Sequence, residues 1–130
     1  MPRIVVIGSL NMDIVAVSPR LPEAGETLIG THYFTAPGGK GANQAYAAAL
    51  LGGDVAMIGR VGADEYGRQM LADLTAAGCD VSAVRSVDGP SGVAIILVAH
   101  SAQNSIVVIP GANQRYSPAD LAVAREFHLR

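Results

Sequence analysis

The chain has 130 residues, half of them hydrophobic and only 15% charged, which excludes intrinsic disorder and bounds the protein at one domain or part of one. Nine basic residues against 11 acidic ones give a formal charge of −2, too balanced for a surface built to hold nucleic acid or an anionic membrane. The single cysteine, Cys79, excludes an internal disulfide framework and a paired-cysteine metal site, and it suits a reducing, cytoplasmic setting.

Residues 3–7 read as a buried strand, because Ile4, Val5, Val6 and Ile7 form an unbroken apolar run that stops at Gly8. The run is too short for a signal peptide or a membrane span. Residues 13–17 are β-rich, and Pro19 and Pro22 then break any regular element. Residues 27–36 have strand composition. After the glycine cluster Gly38, Gly39 and Gly41, residues 42–51 form a helix whose apolar residues surround the axis, which predicts burial of both faces. A strand is expected at 55–61. Asp64 then caps a helix with Tyr66, Met70, Leu74 and Ala77 at helical spacing, and Gly78 stops it. A short strand comes next at 81–87, then a hairpin of 92–99 with 105–109. Ser117-Pro118-Ala119-Asp120 opens a last helix. Strands alternating with helices define an α/β sheet. The two β-rich stretches, 13–36 and 92–109, have no helix between their strands and are expected to form a small second sheet.

Three groups of polar residues bear on function. Pro37-Gly38-Gly39-Lys40-Gly41-Ala42-Asn43-Gln44 is not a Walker A loop, because position 34 is Phe and Lys40 is followed by Gly41. Its glycines allow close backbone approach, and a helix starting near Gly41 offers N–H groups to a polar ligand. Lys40, the only lysine, and Asn43 are three apart and share one side of the first turn. A flexible turn before a helix gives the same pattern. In Gly8-Ser9-Leu10-Asn11-Met12-Asp13 the amide and the carboxylate are two apart, so an extended chain points both one way, as a vicinal diol requires. An Asx turn is the alternative. Asn113 reads as a turn residue, Cys79 as packing, and the three histidines lack metal-ligand spacing.

These blocks, with Pro22-Glu23-Ala24-Gly25-Glu26-Thr27, residues 59–67 and Gly111-Ala112-Asn113, closely resemble the ribokinase branch of the carbohydrate kinases across essentially all 130 residues. The resemblance implies a Rossmann-like α/β fold with a β-sheet lid drawn from the stretches 13–36 and 92–109. It implies transfer of the ATP γ-phosphoryl group to the 5-hydroxyl of D-ribose, with Mg²⁺ and a monovalent cation. It places Asn11, Asp13, Gly38, Gly39, Lys40 and Asn43 around the sugar, makes Gly38 and Gly39 the hinge of lid closure, and implies a homodimer joined through the lids.

The family's catalytic base lies in a G-A-G-D motif, and these 130 residues contain none. The chain is therefore expected to be the N-terminal, sugar-binding part of such an enzyme, without a catalytic residue of its own. It should bind neither nucleotide nor metal tightly and should be inactive alone. Two other readings stay open: a parent enzyme acting on another sugar or a nucleoside, and a stand-alone lid or dimerisation module.

Overall fold

A computed structural model of the protein describes residues 2–128. Two sheets make up its frame. The first is parallel, in the order β1 (Arg3–Ile7), β4 (Asp54–Gly62), β5 (Asp80–Val87). The second has the order β3 (His32–Gly38), β2 (Asn11–Ser18), β6 (Gly92–Ala99), β7 (Asn104–Ile109). In it β2 and β6 run parallel side by side, and β3 and β7 flank them antiparallel. Helix α1 (Lys40–Leu50) joins β3 to β4, and α2 (Glu65–Ala76) joins β4 to β5. A 3₁₀ helix (Gly111–Arg115) and α3 (Ala119–His128) come after β7.

The core lies where α1 and α2 cover the first sheet: Val6, Ala42, Ala45, Ala49, Val55, Met57, Val61, Met70, Leu74, Cys79 and Val84. Leu10 and Met12 carry it to the root of the second sheet and are fully buried. Close approach of α1 depends on small residues. A Cβ on Gly41 would stand 2.7 Å from the Gly8 Cα. Cys79 is buried, and burial, with Asp80 beside it, pushes its thiol above the ordinary value, as befits a packing residue.

Three expectations need correction. β1 is not wholly buried. It is an edge strand with β4 on one side, so Ile4 and Ile7 are each 43% exposed while Val6 lies in the core. α1 buries one face only, through Gly41, Ala42, Ala45 and Ala49, and Leu50 and Leu51 are exposed because only one sheet face lies against it. The strand expected at 27–36 starts at His32. Its partner β2 ends at Ser18, whose hydroxyl turns to the Arg20 carbonyl (2.7 Å); Thr31 still donates its N–H to the Val17 carbonyl at 2.7 Å, and residues 27–30 lie beyond the ladder. An Arg20–Glu26 ion pair braces that loop, with oxygen–nitrogen distances of 2.6 and 2.7 Å, and holds the Glu26 carboxyl down at about 2.

The expected caps are in place. The Asp64 side chain accepts from the Gly67 N–H at 2.9 Å, and Gly78 lies just past α2 with φ 95°. At α3 the Asp120 carboxylate accepts from the Ser117 N–H at 2.6 Å.

Candidate functional site

Both central strands of the second sheet grow out of the first sheet's margin. β2 leaves β1 through Gly8, Ser9 and Leu10, and β6 leaves β5 through residues 88–91. The 3₁₀ helix grips both roots. Asn113 bonds to Leu10 in two directions, and the Ala112 N–H donates to the Pro90 carbonyl at 3.0 Å. Asp64 ties the second root to α2, accepting from the Ser91 N–H (2.8 Å) and the Ser91 hydroxyl (2.6 Å). Ser91 in turn accepts from the Gly62 N–H at 2.8 Å. Partial burial pushes the Asp64 carboxyl up, but the bonds from Ser91 and Gly67 outweigh it and hold the group below the ordinary carboxylate range.

The second sheet then overhangs the start of α1, and a cleft of about 500 Å³ lies between them. Asn11 and Asp13 enter it from β2, as alternation along an extended strand requires. Gly39, Lys40 and Asn43 enter it from the helix start. Parallel register sets Asn11 beside Gly92 and Asp13 beside Ala94, so the next residues of that face, Ala94 and Ile96, form an apolar wall with Ile106 and Val108 of β7. Ser9, Pro110 and Asn113 complete the lining. One wall offers hydroxyl partners and the other offers hydrocarbon, a combination that suits a small amphipathic ring.

Five of the six residues expected at the site meet in this cleft, and Gly38 does not line it. Gly38 pairs with Asn11 in the ladder and lies under the Asp13 carboxylate, whose Oδ2 would be 2.6 Å from any Cβ placed there. Glycine at 38 thus lets the carboxylate lie flat against the backbone. Gly39 is the residue with the special conformation: φ is 97° and ψ 140°, and a Cβ would stand 2.6 Å from the Ser9 carbonyl oxygen. The helix start offers fewer donors than the sequence suggested, because the Ala42 N–H is already bonded to the Ser9 carbonyl at 3.0 Å.

Asp13 is partly withdrawn from water, which raises its carboxyl above the ordinary value. Lys40 is the one cationic side chain lining the cleft among the described residues. No group of three His, Cys, Asp or Glu residues gathers anywhere among them. A second hollow of about 630 Å³ lies between the second sheet and the loop 19–31, and it contains none of the candidate residues.

Asn113 is more than a turn residue. It lines the cleft and touches Asn11, with its Nδ2 2.9 Å from the Asn11 Oδ1. Pro110-Gly111-Ala112-Asn113 reads locally as a turn, and only the fold brings position 113 against position 11.

A sheet of parallel strands with a second small sheet overhanging a glycine-rich helix start defines a Rossmann-like protein of the carbohydrate kinase type. Residues 1–129 match the pfkB family of carbohydrate kinases, and the chain belongs to that family. It is 50% identical over 120 residues to a ribokinase of Bacillus subtilis, covering 92% of this chain and 41% of that protein. A deoxyribokinase of Salmonella typhi is 40% identical over 124 residues, covering 95% and 40%. The structure of Arabidopsis thaliana ribokinase complexed with ribose and ATP superimposes with a TM-score of 0.82 at 37% identity, covering 95% of this chain and 42% of that one. The chain thus spans about two fifths of the length of the curated relatives it matches.

Proposed function

We propose that this chain is the sugar-holding part of a ribokinase-type enzyme that moves the γ-phosphoryl group of ATP to the 5-hydroxyl of D-ribose. The observation that carries the reading is the convergence of Asn11, Asp13, Gly39, Lys40 and Asn43 on one cleft of about 500 Å³. Asp13 accepts from sugar hydroxyls, while Asn11, Asn43 and Lys40 donate to them. The apolar wall of Ala94, Ile96, Ile106 and Val108 takes the ring's hydrocarbon face. The second sheet serves as a lid, and Gly38 and Gly39 serve as its hinge, with the left-handed φ of Gly39 at the pivot. Closure excludes water from the transferring group.

The residues here do not fit the nucleotide or its cations. No acidic cluster stands ready for Mg²⁺ among the described residues, Lys40 is the lone cation of the cleft among them, and the sequence has no G-A-G-D. ATP, Mg²⁺ and a monovalent cation therefore belong to the complete enzyme, and these 130 residues alone bind sugar without phosphorylating it. Titration calorimetry with D-ribose, 2-deoxyribose, fructose and adenosine tests the substrate. Saturable ribose binding is expected. A clear preference for adenosine would move the chain to a nucleoside kinase, and turnover of ATP with ribose by the 130-residue protein would refute the division of labour.

The lid also supports a homodimer. All six residues of β7 are exposed, and Ile106, Val107, Val108 and Ile109 place apolar side chains on both faces of an open sheet edge. We place the enzyme in the cytoplasm, in keeping with its single, buried cysteine. No described helix is long and apolar enough to cross a membrane.

A further inference from the structure

We infer that Asn113 is a positioning residue that fixes which way the Asn11 amide faces, so that the cleft meets its ligand with a donor at position 11 beside an acceptor at position 13. The inference rests on the reading of this cleft as a sugar site, and it adds a residue that touches Asn11 rather than the sugar's reacting atoms.

The orientation comes from hydrogen-bond polarity. The Leu10 backbone N–H can only donate, and it points at Asn113 from 3.0 Å, so the Asn113 atom facing it must be the carbonyl oxygen Oδ1. The other end of that amide is then the NH₂. It faces three oxygens: the Leu10 carbonyl at 2.9 Å, the Pro110 carbonyl at 3.0 Å and Asn11 at 2.9 Å. An NH₂ can only donate, so the Asn11 atom it meets must be Oδ1. The Asn11 NH₂ is therefore turned the other way, and Asn11 lines the cleft together with Asp13. A flip of Asn11 would set two NH₂ groups against each other, which loses the bond and opposes two donors. The backbone of Leu10 thus sets Asn113, and Asn113 sets Asn11. Gly92 completes the arrangement, since any Cβ there would overlap both amides.

The consequence is selectivity by polarity. Asp13 presents only acceptors and Asn11 only donors. A hydroxyl pair that donates to one and accepts from the other is matched, and a ligand with two acceptors in that place is not.

Two measurements on the 130-residue chain test this. In the ligand-free protein, side-chain amide exchange by ¹⁵N NMR should show protected NH₂ protons on Asn113 and rapidly exchanging ones on Asn11; the reverse order overturns the inference. Secondly, Asn11→Asp keeps an oxygen for Asn113 to bond, but it turns the donor in the cleft into an acceptor. Its affinity for D-ribose should fall about tenfold or more. Asn113→Asp sets a carboxylate oxygen against the Leu10 and Pro110 carbonyls as well, so it should lower both the melting temperature and ribose affinity, and the Asn11 NH₂, which now has an acceptor to meet, should gain protection. Native-like ribose affinity in both variants overturns the inference. A native chain that ignores ribose would defeat the sugar reading, while the exchange data still decide the orientation of Asn11.

Discussion

At the scale of single residues the cleft depends on a carboxylate that the protein makes awkward to ionise. Asp13 lies over Gly38, partly shielded from water, and its carboxyl titrates above the ordinary 3.8. A carboxylate whose pKa is raised on folding contributes most stability when protonated, and that contribution is lost as pH rises through the raised value. In the proposed sugar site, Asp13 acts as an acceptor and needs the ionised form. Ribose affinity should therefore fall on acidification with a midpoint above 3.8, which calorimetry across the acid range will read. Asp13→Asn should melt no lower than the native protein at neutral pH, yet lose sugar affinity. Asp13→Ala should weaken ribose binding by about 1–3 kcal/mol, because sugar hydroxyls lose their acceptor. At Gly39, alanine meets both a left-handed φ and the Ser9 carbonyl oxygen, and should cost more than about 1 kcal/mol in chemical denaturation.

Between elements, the decisive contacts hold the lid's roots. Asp64 caps α2 and accepts two bonds from Ser91, so one carboxylate fixes a helix start and the entry to β6. Asp64→Ala should destabilise the fold by about 2 kcal/mol in urea unfolding. Because its pKa is depressed on folding, that contribution is present above the unfolded value of 3.8 and lost as pH falls through the lower folded one. The native and Asp64→Ala proteins should therefore converge in stability below that pH. A second joint ties α3 to β4. Arg60 and Asp120 form an ion pair with both side chains about 95% buried, and the guanidinium lies 5.3 Å from the Tyr116 ring centroid. The Tyr116 hydroxyl links β4 to the residue just past β1, donating towards the Ile58 carbonyl at 2.6 Å and lying 3.2 Å from that of Gly8. Removing Asp120 strands a buried charge, and Asp120→Ala should cost about 3–5 kcal/mol.

For the molecule as a whole, apolar surface is distributed unevenly. Ile4 and Ile7 on β1, Leu50 and Leu51 at the end of α1, and the four apolar residues of β7 are all exposed. An open, apolar edge strand invites pairing with another copy. Sedimentation velocity should show concentration-dependent self-association, and Val107→Lys, a charge on that edge, should shift the chain towards monomer. A native chain that stays monomeric at high concentration would remove the lid-mediated dimer.

How much of the fold and the cleft was legible in the sequence depends on whether the signal was local. The apolar runs that become strands, the Asp64 cap, the Gly78 stop and the glycine-rich helix start are written in neighbouring residues, because caps, turns and periodicity act over a few positions. The alternation that sends Asn11 and Asp13 to one side is likewise a property of any strand. The exposure of Ile4 and Ile7 and the one-sided burial of α1 were not legible, since burial depends on which elements stand alongside. Nor was the role of Asn113: its meeting with Leu10 and Asn11 spans about a hundred residues, and only the packing of the 3₁₀ helix against the lid's root creates it. The sequence determined the chemistry available to the cleft; the tertiary structure decided which groups face it and with which polarity, because hydrogen-bond direction is set by neighbours distant in the chain.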